Sequence, residues 1–385
     1  MIFLKNKIVQ FQIIIYFISI IATFYVYEAF LSYFKYKQII EYNKSLEDLN
    51  IFKDDLKKIH NPSMIKRHIG PAQILDEHTK FLPLGGYSNS IVPFCNENGY
   101  WEYYFSDRYG FNNDNAIDKI NSIVVGDSFA EGFCVKQNET ISGVLNKLGI
   151  TSFSIGKGGN ASLLEYATLK EYFDIFNPKR VIWLHYENDI YDIDSEFKHQ
   201  VLKQYLLNDN FRQNLSERSD EINIFYDQFG SNTAPVKVTS LILTFFKLTY
   251  TRQQIRNFLN TRFNYSPLNY NVSEEDFNLF TKIMTKIKIF SENKNFNFIF
   301  IYLPSYEQIY EVGNYKFKNE LKFKIFSELE KIGIVFYDLT EPVFKNNDIN
   351  YFPDLKYGLN LSFHYNKEAY SKIGLFIKKV LASEE

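Results

Sequence analysis

Residues Ile120–Gly132 read INSIVVGDSFAEG. The apolar run Ile123–Val125 is β-branched and lacks polar alternation, which predicts a short strand buried on both faces. Gly126 permits a tight turn, and Asp127 and Ser128 are residue types that open helices. The stretch therefore reads as strand, sharp turn, helix, with the Ser128 hydroxyl at the corner. An ordinary helix cap uses the same residues, so this stretch alone leaves both uses open.

The pattern repeats downstream. ITSFSIG (150–156) ends in a glycine-rich turn and is followed by the helix-like SLLEYATLKEYFDIF (162–176). RVIWLHY (180–186) ends at Glu187-Asn188-Asp189, and FNFIFIYLP (296–304) and IGIVFYDL (332–339) come later, each after a helical segment. Buried strands alternating with helices predict an α/β fold with a doubly wound, mostly parallel sheet. Polar, helical sequence from about 195 to 274 interrupts the rhythm and reads as an insertion, and a helix near Lys367–Leu381 closes the chain.

Upstream, the run from Ile8 to Tyr27 carries no charge. Roughly 20 apolar residues suffice to cross the hydrocarbon core as a helix. A cleavable signal peptide is the rival, but the sequence after Thr23 is bulky rather than small-x-small. Lys5 and Lys7 favour a cytoplasmic N-terminus, and Lys35 and Lys37 beyond the span weaken that bias. The expectation is a single-pass anchor with the bulk of the chain extracytoplasmic. Residues 1–33 form the anchor, 34–118 a charged stalk and a turn-rich extension with short β segments such as WEYYF, and 119–385 the α/β domain. A net charge of -2 gives no basic field for nucleic acid. Cys95 and Cys134 make no metal-ligand pattern, and whether they pair is open.

In open parallel sheets functional groups gather beyond the carboxyl ends of the strands. There the chain places Ser128, then Gly156-Lys157-Gly158-Gly159-Asn160, then Asn188, while His364 lies just ahead of the closing helix. A helix N-terminus and a glycine-rich loop both offer N–H groups to an oxyanion. Gly156, Gly158 and Ala161 also fit a short dinucleotide-binding pattern, with Glu187 after the next strand. That reading leaves Ser128 and His364 unexplained.

Together the four elements resemble the SGNH (GDSL-like) hydrolase superfamily, whose blocks carry Ser, Gly, Asn and His in that order. VVGDSFAEG, SIGKGGNASLLEYATLKEY, HYENDIYD and SFHYNKEAYSKIG look like the four blocks, in a bacterial branch with an N-terminal membrane anchor. The resemblance implies a flavodoxin-like SGNH fold, with Ser128 as nucleophile, His364 as base, and Ser128, Gly159 and Asn188 forming the oxyanion hole. It implies a serine esterase or O-acyltransferase acting on ester-linked acyl groups, acetyl above all, of a cell-surface glycan, without metal or organic cofactor. Two positions depart from the pattern. Tyr186 stands where the family has glycine, and Leu361 stands where it has the acid, so either Asp354 is the candidate acid or a backbone carbonyl orients His364 in a Ser-His dyad. The missing acid keeps a second class of answer open: an inactive SGNH-like scaffold that binds glycan or a membrane acyltransferase partner. An α/β-hydrolase elbow would need glycine where Ala130 stands.

Overall fold

The computed structural model describes residues 2–75, 80–115, 119–191, 193–229, 244–263, 272–313, 315–345, 351–352 and 364–383. They fall into two compact units, Met1–Asp54 with Ser231–Asn271, and Asp55–Gly230 with Val272–Glu385.

Helix α1 (Ile2–Ile59), whose residues up to Asp54 belong to the first unit, runs unbroken from the uncharged stretch into the stalk. Among the described residues it is the one helix long and apolar enough to cross a membrane. Its outward side chains, Phe17 and Ile14 among them, are exposed, which suits a lipid environment rather than a protein core.

The second unit begins with an antiparallel hairpin, β1 (Ile91–Cys95) and β2 (Glu102–Phe105). A five-stranded sheet follows, formed by β3 (Ser122–Val125), β4 (Ser152–Ser154), β5 (Arg180–Tyr186), β6 (Asn297–Leu303) and β7 (Val335–Asp338). All four of its pairings are parallel, in the order β4-β3-β5-β6-β7. Counted within the sheet, that is the doubly wound 2-1-3-4-5 order, whose direction reverses beside its first strand. The five runs that the sequence marks as strands are these five.

Between the strands lie α2 (Ser128–Glu131), α3 (Ile141–Lys147), α4 (Ser162–Phe176), α5 (Ile193–Lys198), α6 (Gln200–Leu207) and α7 (Ser219–Gln228). After them come α8 (Thr249–Phe263), which belongs to the first unit, and α9 (Glu274–Lys294). The rest are α10 (Tyr306–Tyr310), α11 (Tyr315–Ile332), α12 (Thr340–Phe344) and α13 (Lys367–Ser383).

Successive strand residues point to opposite faces, so each strand feeds two cores. Ile123, Val125 and Trp183 join α4, α9 and α11 on one face. Val124, Ile182 and Leu184 join α3 and α13 on the other. This double burial is why the strands read as continuous apolar runs.

The extension is not a separate layer. Ile69, Leu82, Leu84 and Phe111 are buried in the same core as α4 and α9, and the compact unit starts at Asp55. Helices α5–α7 of the expected insertion also belong to this unit. Those four residues lie outside helix and strand, in turn-rich sequence of the kind expected to pack on the domain behind it.

Candidate active site

Strand β3 delivers the chain into Gly126, whose φ is +151°. A Cβ there would lie 2.7 Å from the Leu184 carbonyl oxygen on β5 and 2.9 Å from Ala130 Cβ, so the turn closes against the neighbouring strand only with glycine. Asp127 then caps α2, its Oδ1 accepting the Phe129 N–H at 2.9 Å. Burial raises the Asp127 pKa, tempered by the Phe129 N–H, by His364 and by the side chains of Asn188 and Ser128. Ser128 is thereby fixed at the first position of α2.

The histidine arrives from the far end of the chain. His364 Nε2 lies 2.7 Å from Ser128 Oγ. Its ring packs against Phe129 and Phe133, with centroids 5.1 and 4.7 Å away. The next two residues hold it in place. Tyr365 is buried and donates its hydroxyl to the Pro304 carbonyl at 2.5 Å. Asn366 caps α13, its Oδ1 accepting the Ala369 N–H at 3.1 Å.

Nδ1 of His364 meets Glu97 Oε1 at 2.8 Å, and Glu97 Oε2 accepts the His364 backbone N–H at 3.0 Å. With a carboxylate at Nδ1, that nitrogen carries the proton and Nε2 is left to accept from Ser128. Glu97 sits in the β1–β2 turn, where Gly99 N–H bonds the Asn96 carbonyl at 2.9 Å. Two ties hold this turn to the segment after α2. Cys95 and Cys134 form a disulfide with Cα atoms 5.1 Å apart, and the Asn98 amide donates to the Cys134 carbonyl at 2.7 Å. Glu97 lies within 4.8 Å of both sulfurs, but the disulfide takes up both thiolates that a metal would need.

Asp354 and Leu361 lie outside the described residues. The sequence offered no reason to choose Glu97, because an Asn-Glu-Asn-Gly turn announces a turn and nothing about its partner.

Gly159 follows β4 with a φ of +82°, and Asn188 lies in a 3-10 turn after β5; both are exposed. The Gly159 loop hangs from two points. Lys157 N–H donates to the Gly126 carbonyl at 3.3 Å, and Gly158 N–H to Glu131 Oε2 at 2.7 Å. Glu131 is wholly buried. It also takes Lys157 Nζ at 2.5 Å, His68 Nε2 at 2.9 Å and the Tyr104 hydroxyl at 3.0 Å. Burial alone would raise its pKa, but the His68 and Lys157 charges outweigh that and hold it well below the carboxylate range. At Tyr186 the backbone φ is −104°, an extended value open to any residue, and the ring packs on Phe129 at 4.3 Å.

Serine, glycine loop and asparagine thus occupy the carboxyl ends of three adjacent parallel strands in a 2-1-3-4-5 sheet, with the histidine over the serine. The fold is a doubly wound α/β sheet with these residues at its carboxyl edge. Solved structures to which the chain is similar include a protein assigned to the G-D-S-L lipolytic family from Desulfitobacterium hafniense DCB-2. It is 14% identical with a TM-score of 0.34, over 67% of this chain and 98% of that one. A protein assigned as an acylhydrolase from Bacteroides fragilis NCTC 9343 is 12% identical with a TM-score of 0.34, over 70% of this chain and 92% of that one. Overlap that loose transfers no residue role to this chain. No protein-family model matches the sequence, and no curated protein does.

Proposed function

We propose that the chain is a membrane-anchored serine esterase or O-acyltransferase in which Ser128 attacks, His364 moves the proton and Glu97 orients His364. The observation that carries this is the relay Ser128 Oγ to His364 Nε2 at 2.7 Å and His364 Nδ1 to Glu97 at 2.8 Å. His364 takes the Ser128 proton as Oγ attacks an ester carbonyl, and the Glu97 carboxylate stabilises the imidazolium. The tetrahedral oxyanion is held by the N–H groups of Ser128 and Gly159 and by the Asn188 amide. As the intermediate collapses, the alcohol leaves with the proton from His364, and Ser128 keeps the acyl group. Water or a sugar hydroxyl then attacks the acyl-serine, with His364 again as base.

The resemblance to anchored SGNH proteins supports an acetylated cell-surface glycan as substrate, and the names of the two structural relatives fit an ester bond. Helix α1 as an uncleaved anchor, with the remaining chain outside the cytoplasm, accords with the Cys95–Cys134 disulfide, which persists in oxidising compartments. The scaffold reading drew its support from the missing acid at Leu361, and a carboxylate at Nδ1 of His364 removes that support.

Treating the purified full-length protein in detergent with a fluorophosphonate probe tests the reading. Labelling of the native chain that vanishes in Ser128→Ala is expected. A folded native chain that takes no label overturns it.

A further inference from the structure

Glu28 follows directly on the uncharged run Ile8–Tyr27, yet it is wholly buried. Its two carboxylate oxygens accept the backbone N–H groups of Tyr250 at 3.1 Å and Thr251 at 2.6 Å, in the first turn of α8. An anion there satisfies donors that a helix start leaves unpaired and meets the positive end of the helix dipole. One helical turn earlier on the same side of α1, Tyr25 packs its ring against Phe245 at 5.7 Å and donates its hydroxyl to the Phe246 carbonyl at 3.4 Å. The chain therefore returns, more than 200 residues later in sequence, to the last turn of the apolar run.

The returning segment has the chemistry of that level. Phe246 is 66% exposed although large and apolar. The uncharged sequence continues back from it to Val238, and Lys237 and Lys247 bracket the run. Nine residues are too few to span a bilayer, which takes about 20. The exposed Phe246 beside the exposed Lys247 suits the boundary between acyl chains and headgroups, where a Lys stem lies along the apolar surface and the ammonium reaches phosphate. A carboxylate at the edge of the hydrocarbon is costly unless paired, and docking of α8 supplies Glu28 with its partners.

We propose that the segment around Phe245–Leu248 is a second membrane contact, lying in the lipid interface against α1 with Phe246 directed into the acyl region. Its occupant is the bilayer itself. The proposal rests on the reading of α1 as a membrane-spanning anchor, and the test separates the two. Full-length protein, with Cys95–Cys134 left oxidised, is reconstituted into phosphatidylcholine vesicles containing some phosphatidylglycerol. A single environment-sensitive fluorophore is placed at Phe17→Cys, Phe246→Cys, Lys247→Cys or Ile224→Cys, the last on the exposed surface of the second unit. Lipids spin-labelled near the headgroup or near the chain end serve as quenchers.

Quenching at 246 by the shallow spin label, at 17 by the deep one, and none at 224 is the expected pattern. Lys247→Cys should show the shallow pattern too, and it keeps the inference testable if Phe246→Cys fails to fold. Adding Glu28→Ala should at least halve the quenching at 246 while leaving 17 unchanged, and Glu28→Gln, which keeps one acceptor, should restore most of it. Deep quenching at 17 with none at 246 or 247 overturns the inference and spares the anchor. No quenching at any position overturns both.

Discussion

Glu97 grips His364 at two points, one carboxylate oxygen on the backbone N–H at 3.0 Å and the other on Nδ1 at 2.8 Å, across 267 positions of sequence. The first contact places the residue and the second sets its tautomer. The carboxylate comes from the β1–β2 hairpin turn of the N-terminal extension, within the same compact unit as His364.

Glu97→Gln should leave the fold intact and reduce kcat for an aryl acetate by up to about 10⁴-fold, the loss seen when a triad acid elsewhere is amidated. KM should move little, and Glu97→Asp should recover part of the rate. A Glu97→Gln enzyme that turns over at the native rate would falsify the orienting role.

The Cys95–Cys134 bond lies two residues before Glu97 and closes a 39-residue separation. Cys95→Ser with Cys134→Ser is expected to lower unfolding free energy by about 2–4 kcal/mol and to depress kcat more than KM, because the Glu97 turn loses its firmest tie. Denaturant unfolding alongside steady-state kinetics checks both, and unchanged kinetics in the stable fraction would count against the tie.

Asn188 is exposed after β5, so its truncation opens no cavity. Asn188→Ala should cost about 10²–10³ in kcat, the usual price of one oxyanion donor, with an unchanged melting temperature. A loss of stability in place of rate would assign Asn188 to its Asp127 contact instead.

Glu131 and Lys157 are both fully buried and paired at 2.5 Å. Glu131→Gln leaves the Lys157 ammonium without its carboxylate and should destabilise by about 3–5 kcal/mol. Removing both charges, as Glu131→Gln with Lys157→Met, should recover most of that. Equal losses in single and double variants, read from urea titrations, would rule out the unpaired charge as the cause.

His185 is enclosed by Phe280, Phe300 and Tyr302, and burial lowers its pKa to about 3 from 6.5. The unfolded chain therefore binds a proton that the folded chain refuses between those values. The resulting stability is complete above pH about 6.5 and is lost as pH falls toward 3, at up to about 1.4 kcal/mol per pH unit. Nearby Glu165 and Asp189, raised by burial, contribute in the opposite sense, stabilising at low pH and less as pH rises. His185→Phe isolates the first effect: its advantage over the native chain should grow from pH 6.5 to pH 4 in urea unfolding. Parallel profiles would show that His185 is not the acid-sensitive group.

What the sequence determined by itself is the part governed by local and periodic rules. Five apolar runs without alternation mark strands buried on both faces, and the Gly126-Asp127-Ser128 corner marks a strand-to-helix turn. The uncharged run Ile8–Tyr27 marks a helix long enough for a membrane. Tertiary structure alone decided which carboxylate meets His364, that Cys95 reaches Cys134, and that Glu28 caps a helix more than 200 residues away. Each of these joins residues far apart in the chain through one local cluster of contacts. Such contacts follow from how whole elements pack, and leave no period, spacing or propensity in either partner by which to read them.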